Sequence, residues 1–182
     1  MIIARQKKDN NIAEYVLYMW QLEDIFRTFN FDMQKINTSI VEQFAVTNDE
    51  KTKILTWYEQ LIEMMQAENI APMGHLRFVS NTISELSDLH LRLLNSYDET
   101  KYKELYYKAI PNIALFRSKL DTVTHNTAEI MVCFTALYNL LLLRLQKKTI
   151  SDETTQAMET ISDLLALLTK RYHQLQVGEL EL

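Results

Sequence analysis

Turn-forming residues are scarce in this chain. Its 182 residues include only two glycines, two prolines and one cysteine. Because a β-rich fold needs many glycine and proline turns, this scarcity excludes such a fold and favours long helices. Two isolated glycines also exclude the glycine-rich loops that hold phosphate groups. The single cysteine, Cys133, excludes an intramolecular disulfide.

An excess of positive charge is absent as well. The chain carries 24 acidic and 19 basic residues, for a net charge of −5. Proteins that track nucleic-acid phosphates normally show a basic patch or stripe, so we predict no nucleic-acid partner. The first residues, "MIIARQKKDNN", lack the apolar stretch of a signal peptide, which predicts a cytoplasmic location. No cofactor motif is present, and we predict no cofactor.

Long hydrophobic runs are limited to one segment. Fourteen uncharged residues separate Glu129 from Arg144. In a helix they would span roughly 21 Å, which is short of the roughly 30 Å hydrocarbon core of a bilayer. We therefore predict no membrane span. The segment is expected to be the buried central helix of a soluble fold, with Leu141 in its core.

Apolar residues recur with the helical period along the whole chain, which predicts an all-α fold. We predict a single domain over residues 1–182, a mostly antiparallel bundle of six or seven helices, with frayed ends at 1–10 and 176–182. Pro111 is expected to kink or split its helix. Helix starts are predicted from capping residues and capping-box spacings at Asn11, Asp32, Thr47, Ser96, Asn126 and Ser151.

Three residues form the best metal-like pattern. Asp121, His125 and Glu129 are spaced four apart and would share one face of a helix. If Asn126 caps the next helix, His125 lies outside that helix and the alignment is lost. We therefore predict no metal site here and keep these residues as the alternative.

Other polar residues have simpler interpretations. His90 lies on an apolar stripe and is predicted to be a histidine at the edge of the core, satisfied by one hydrogen bond. The adjacent carboxylates Glu23 and Asp24 point in different directions and are predicted to be ordinary surface charge.

Aromatic residues are abundant in two helices, "EYVLYMWQLED" and "YDETKYKELYYKAI". One helix face cannot bury them all. Either both helices are packed inside the bundle, or some rings form an exposed patch for a protein partner. Both interpretations stay open. The candidate interface residues are Tyr18, Trp20, Tyr102, Tyr106 and Tyr107.

Two segments carry a resemblance to a known family. "ALYNLLLLRLQKKTISDETTQAMETIS" and "NIAEYVLYMWQLED" resemble an uncharacterised family of helical proteins from Bacteroides-type bacteria, defined only as a domain of unknown function. The similarity covers most of the chain and is strongest at its two ends. It implies a bacterial, cytoplasmic, helical protein. These motifs are helix faces, so the resemblance transfers no active-site residues.

Two classes of function follow from these patterns. The first is a non-catalytic interaction or scaffold protein, working with a protein partner or as a homodimer through an aromatic helix face. The second is a metal-binding or enzymatic bundle that uses Asp121, His125 and Glu129. The first is preferred, because no catalytic motif is present. The biochemical activity itself remains unknown.

Overall fold

The computed structural model describes residues 2–120 and 127–182, with only the backbone of Ile2 and Ile3. All regular structure within these ranges is helical, which confirms the all-α prediction. Eight α-helices are present in them, more than the six or seven predicted. They are α1 (Ile2–Asn10), α2 (Ile12–Thr28), α3 (Met33–Ser39), α4 (Asn48–Ala67), α5 (Arg77–Asn95), α6 (Thr100–Arg117), α7 (Glu129–Leu145) and α8 (Asp152–Gln176), with a short 3-10 helix at Val41–Gln43.

The additional helix is α1, in a segment that we had predicted to be frayed. It is short and hydrophilic, so its sequence lacks the long apolar stripe by which the other helices were recognised. Its Ala4 is buried, and α1 packs on α2. The contact with α2 therefore explains why α1 is helical although its local sequence did not predict a helix.

Most helix starts lie where the capping residues in the sequence predicted them. The Asn11 side chain accepts from the backbone N–H groups of Ala13 and Glu14, and Asp32 and Ser151 cap their helices in the same way. Thr47 forms a full capping box with Glu50. These bonds link residues within one turn, so they need no tertiary contact to form.

One predicted helix start is not seen, and another lies outside the described residues. Ser96 does not open α6. Its backbone N–H donates to carbonyl groups at the end of α5, and α6 begins after Glu99 without a side-chain cap. The Glu99 carboxylate instead accepts from Arg171, with Nε 2.9 Å from Oε1. Asn126 lies outside the described residues, and the residue that precedes α7 is Ala128.

Pro111 does not split its helix. α6 continues through it from Thr100 to Arg117. Proline lacks an N–H and crowds the preceding turn, so its position in the helix interior carries a local cost. Burial of Tyr102, Ala109 and Ile113 along the inner face of α6 offsets that cost.

The chain divides into two compact units, residues 1–82 and 83–182, and α5 crosses the boundary. In the first unit, α2 and α4 contribute most of the buried side chains, and the rings of Phe26 and Tyr58 meet edge to face at 5.2 Å. In the second unit, α6, α7 and α8 pack against one another. The predictions of a single domain and of a mostly antiparallel order stay predictions.

The leucine run is less buried than predicted. The fully buried side chains of α7 lie between Ile130 and Leu140, whereas Leu141, Leu142 and Leu143 are only half-buried. Leu145 is exposed. The prediction that Leu141 is a core residue is therefore wrong, because the covered part of α7 ends one residue earlier. Among the described helices, none is long and apolar enough to cross a membrane.

Candidate functional site

A partly buried polar cluster joins three helices of the second unit. His90 comes from α5, Tyr102 and Tyr106 from α6, and Glu129 from the first turn of α7. His90 Nδ1 lies 2.7 Å from the Tyr102 hydroxyl, and its Nε2 lies 3.5 Å from Glu129 Oε2. The Tyr106 hydroxyl donates to the same oxygen at 2.9 Å. The polar groups form one chain from the buried phenol of Tyr102 to a partly exposed carboxylate.

Burial determines the protonation of this cluster. It lowers the pKa of His90, although the nearby Glu129 carboxylate acts in the opposite direction. Burial also raises the pKa of Tyr102, and with the Glu129 hydrogen bond it raises the pKa of Tyr106 to about 12. At neutral pH the phenols stay protonated. Because the Glu129 carboxylate can only accept, we assign the His90 proton to Nε2, which faces it, and Nδ1 then accepts from the Tyr102 hydroxyl.

Cys133 lies one turn beyond Glu129 and is buried. Burial, with the negative charge of Glu129, raises the pKa of its thiol to about 12 against the opposing effect of Arg117. A thiol with such a pKa is not a thiolate at neutral pH and is a poor nucleophile. The cluster thus combines a neutral imidazole, two protonated phenols, the Glu129 carboxylate and a protonated thiol.

The second polar cluster lies in the first unit and was missed from the sequence. Glu23 is fully buried, whereas we had predicted surface charge. Its Oε2 lies 2.6 Å from His75 Nδ1, and its Oε1 accepts the backbone N–H of Leu76 at 3.0 Å. The His75 ring stacks on Trp20 with centroids 4.1 Å apart. The buried carboxylate is thus satisfied by a segment about fifty residues later in the chain.

The same segment is held by Arg27, one turn after Glu23. Its guanidinium donates to the carbonyl oxygens of Ile70, Ala71 and Gly74, and it pairs with Asp24 at 3.1 Å. Gly74 has a φ of +106°, where a side chain would be strained. A histidine directly after a glycine in a loop was the available sequence signal, but its partner could not be identified without the fold.

An apolar stripe lies on the outer face of α6, and we call it the α6 outer face. It consists of Tyr107, Pro111, Ala114 and Leu115, all of them exposed. Tyr107 retains 70% of its accessible surface and Leu115 retains 52%. Their spacing places them along one side of the helix, opposite the buried Tyr102 and Ile113. Large apolar side chains grouped on one helix face are typical of a protein–protein contact.

Comparison with protein families identifies the chain. A family model described as a domain of unknown function, DUF4924, matches residues 1–179. The chain belongs to this family. No curated protein and no solved structure matches it. Membership in DUF4924 agrees with the resemblance found in the sequence, and it assigns no activity and no site residue.

The metal-like pattern of this DUF4924 chain falls mostly outside the described residues. Asp121 and His125 lie in the segment 121–126, which is not described, and Glu129 belongs to the His90 cluster. Across residues 2–120 and 127–182, no group of three or more His, Cys, Asp or Glu side chains is placed to hold a metal ion.

The predicted interface residues separate by exposure. Trp20 and Tyr102 are buried, so neither ring is available as an interface anchor, and this part of the prediction is corrected. Tyr18 and Tyr106 are half-buried. The hydroxyl groups of Tyr18 and Tyr58 interact, and Tyr106 donates a hydrogen bond to Glu129. Tyr107 alone among the five is exposed. The prediction for His90 is confirmed in part: it is buried and its Nδ1 bonds Tyr102, but one bond does not satisfy the ring, because buried Nε2 has no hydrogen bond within the described residues.

Proposed function

We propose that this chain is a non-catalytic interaction protein that forms a homodimer through the α6 outer face. One observation carries the proposal: Tyr107, Pro111, Ala114 and Leu115 form a continuous apolar stripe that the chain's described residues leave uncovered. Covering such a stripe removes apolar surface from water, and cyclic dimers are the commonest oligomers. Large aromatic side chains also contribute most strongly to interface energy, and Tyr107 is the largest member.

Charge along α6 favours an antiparallel pairing of two copies. Glu104 and Lys119 lie near opposite ends of the stripe and are both exposed. A two-fold axis near Pro111 would place Glu104 of one copy beside Lys119 of the other. The same axis would bring Tyr107 of each copy to Leu115 of the other. Within one copy, these two residues lie about 12 Å apart along the helix axis. A parallel pairing would instead place like charges together, which disfavours it.

A groove next to the stripe extends this contact surface. It lies between α6 and the first half of α8, has a volume of about 370 Å³ and is partly apolar. Leu115 borders both the groove and the stripe. The Tyr107 ring of a second copy has apolar side chains to contact there, including Phe116 and Met158. A stable dimer needs a total buried area of at least about 1,000 Å², which the stripe and groove together would help to supply.

Charge substitution on the stripe tests this proposal. We expect Tyr107→Glu and Leu115→Glu each to convert the dimer to a monomer in light scattering at micromolar concentration, because each buries an unpaired carboxylate at the contact. Tyr97→Glu is the matched control, since Tyr97 is exposed but lies outside α6. A wild-type protein that is monomeric across the concentration range would contradict the dimer. Dimers that persist in both α6 variants would contradict this face.

The cellular setting is part of the same proposal. The family resemblance supports a bacterial, cytoplasmic protein. We also propose a single domain with mostly antiparallel helices, which the chain length and the short connection between α7 and α8 support. The enzymatic alternative is less well supported, because the titratable groups around Glu129 are held in unreactive protonation states.

A further inference from the structure

A second concave surface lies in the first unit, far along the sequence from the α6 outer face. It is a groove of about 220 Å³ formed by α1, α2, α4 and the start of α5. Its lining is mainly apolar and aromatic, with two basic residues at one side. The lining residues are Ala4, Arg5, Lys8, Tyr15, Trp57, Leu61, Met64 and Phe78.

The apolar part of this groove is open to solvent. Tyr15 and Leu61 are buried and form its floor. Trp57 and Phe78 are half-buried, and Met64 is exposed. Aromatic rings and a flexible methionine are the side chains that commonly line sites for apolar ligands. The groove thus presents an apolar surface that a hydrocarbon chain would cover.

The two basic residues come from α1. Arg5 and Lys8 are three residues apart, so they project from the same side of the helix. Lys8 Nζ lies 5.6 Å from the centre of the Tyr15 ring, and Lys8 makes no ion pair with any described residue. Arg5 Nε lies 3.9 Å from Asp9, but both side chains are highly exposed, so the pair is weak. Both cations are therefore accessible to a bound anion.

We propose that this groove binds a small amphipathic anion, a medium-chain aliphatic carboxylate. Its hydrocarbon chain would lie on Trp57, Met64 and Phe78, and its carboxylate would face Arg5 and Lys8. The combination of an apolar lining with two cations at one side selects this class, because an uncharged hydrocarbon would leave the cations unused. The groove volume lies below the roughly 300–1,000 Å³ of sites for drug-sized ligands, which favours a medium-chain carboxylate over a long-chain one.

Titration with octanoate, followed through the methionine methyl signals in NMR, tests the location of binding. Met64 borders the groove, whereas Met73 is exposed elsewhere and serves as an internal reference. The signals are assigned with Met64→Leu and Met73→Leu. We expect a saturable shift of the Met64 signal and no shift of Met73. Octanoate should also bind more tightly than hexanoate, by up to about fourfold per added CH₂ group.

A double variant tests the role of charge. Arg5→Gln with Lys8→Gln should weaken octanoate binding at least about twofold, the range of two exposed ion pairs. The same variant should bind the uncharged probe octan-1-ol as the wild type does, which also shows that the groove is intact. No Met64 shift, or equal shifts of Met64 and Met73, would contradict a site in the groove. Unchanged octanoate binding by the double variant would contradict an anionic ligand. None of these results depends on the dimer.

Discussion

Each unit of this chain contains a histidine–glutamate pair, and the two pairs are buried in opposite ways. In the first unit, the Glu23 side chain is 0% exposed and its partner His75 is 30% exposed. In the second, His90 is 4% exposed and Glu129 is 37% exposed. The partner atoms lie 2.6 Å apart in the first pair and 3.5 Å apart in the second. The pair that buries the acid is the tighter one.

The difference follows from which group can become neutral at little cost. A buried carboxylate needs direct donors, and Glu23 has two, the His75 ring and the Leu76 N–H. A buried imidazole near neutral pH can lose its charge; His90 Nδ1 then accepts from the Tyr102 hydroxyl, and Nε2 faces Glu129 at 3.5 Å. Glu129 reaches water and accepts from Tyr106. The same two residue types therefore give a short, directly bonded pair in one unit and a longer contact to a buried neutral imidazole in the other.

The largest expected effect on the free energy of unfolding comes from replacing His75, the partly exposed residue of the first pair. His75→Phe keeps the ring on Trp20 but removes the donor to Glu23, so we expect about 3–5 kcal/mol of destabilisation in urea unfolding. His75→Asn should recover part of this loss, because its amide can donate to Glu23.

The equivalent change in the second pair is the matched comparison. Glu129→Ala leaves a neutral His90 that keeps its bond to Tyr102 but removes the acceptor that faces Nε2 at 3.5 Å, so it should cost about 1–3 kcal/mol, less than His75→Phe. Equal costs for His75→Phe and Glu129→Ala would show that the two pairs do not differ in the way proposed.

A smaller effect is expected from removing the hydroxyl group of Tyr102, which bonds the buried His90 ring. Tyr102→Phe leaves His90 Nδ1 buried without a donor, which should cost about 1–3 kcal/mol in the same unfolding measurement. Tyr106→Phe is the control, because its partner Glu129 is partly exposed and can bond water. If Tyr106→Phe costs as much as Tyr102→Phe, burial of the acceptor does not decide the cost.

The smallest effect is a dependence of stability on pH. The pKa of His90 is lowered in the folded chain, so below about pH 6.5 the unfolded chain binds more protons at this position. Stability from His90 is complete above that pH and is lost as the pH falls, by at most about 1.4 kcal/mol per pH unit. Comparing wild type with His90→Gln between pH 7 and pH 5 measures this contribution. Parallel curves for the two proteins would contradict it.

Helix type and most helix positions could be predicted from the sequence, because both depend on short-range patterns. Thr47 and Ser151 bond backbone groups three residues away, and the apolar period is visible within each helix. Ser96 shows where this reasoning fails. It has the right spacing to Glu99, but that carboxylate bonds Arg171, 72 residues later. A stronger distant partner replaced the local cap.

Burial of individual side chains was less predictable. From apolar content we predicted that Leu141 is a core residue and that Trp20 is a candidate interface residue. Instead, Trp20 is buried and Leu141 is only half-buried. Within a uniformly apolar helix, periodicity does not show which residues a neighbouring helix covers. Exposure of Tyr107, next to the half-buried Tyr106, likewise depends on how α6 is rotated against its neighbours.

The sequence by itself determined that this chain is helical, where most of its helices begin, and to which family it belongs. These properties depend on interactions within a few residues or on overall similarity. Only the tertiary structure decided that Glu23 is buried, that His90 meets Tyr102 and Glu129, and that the described residues leave one face of α6 uncovered. Such pairings join residues distant in sequence, and each depends on the rotation and position of whole helices, which local patterns do not encode.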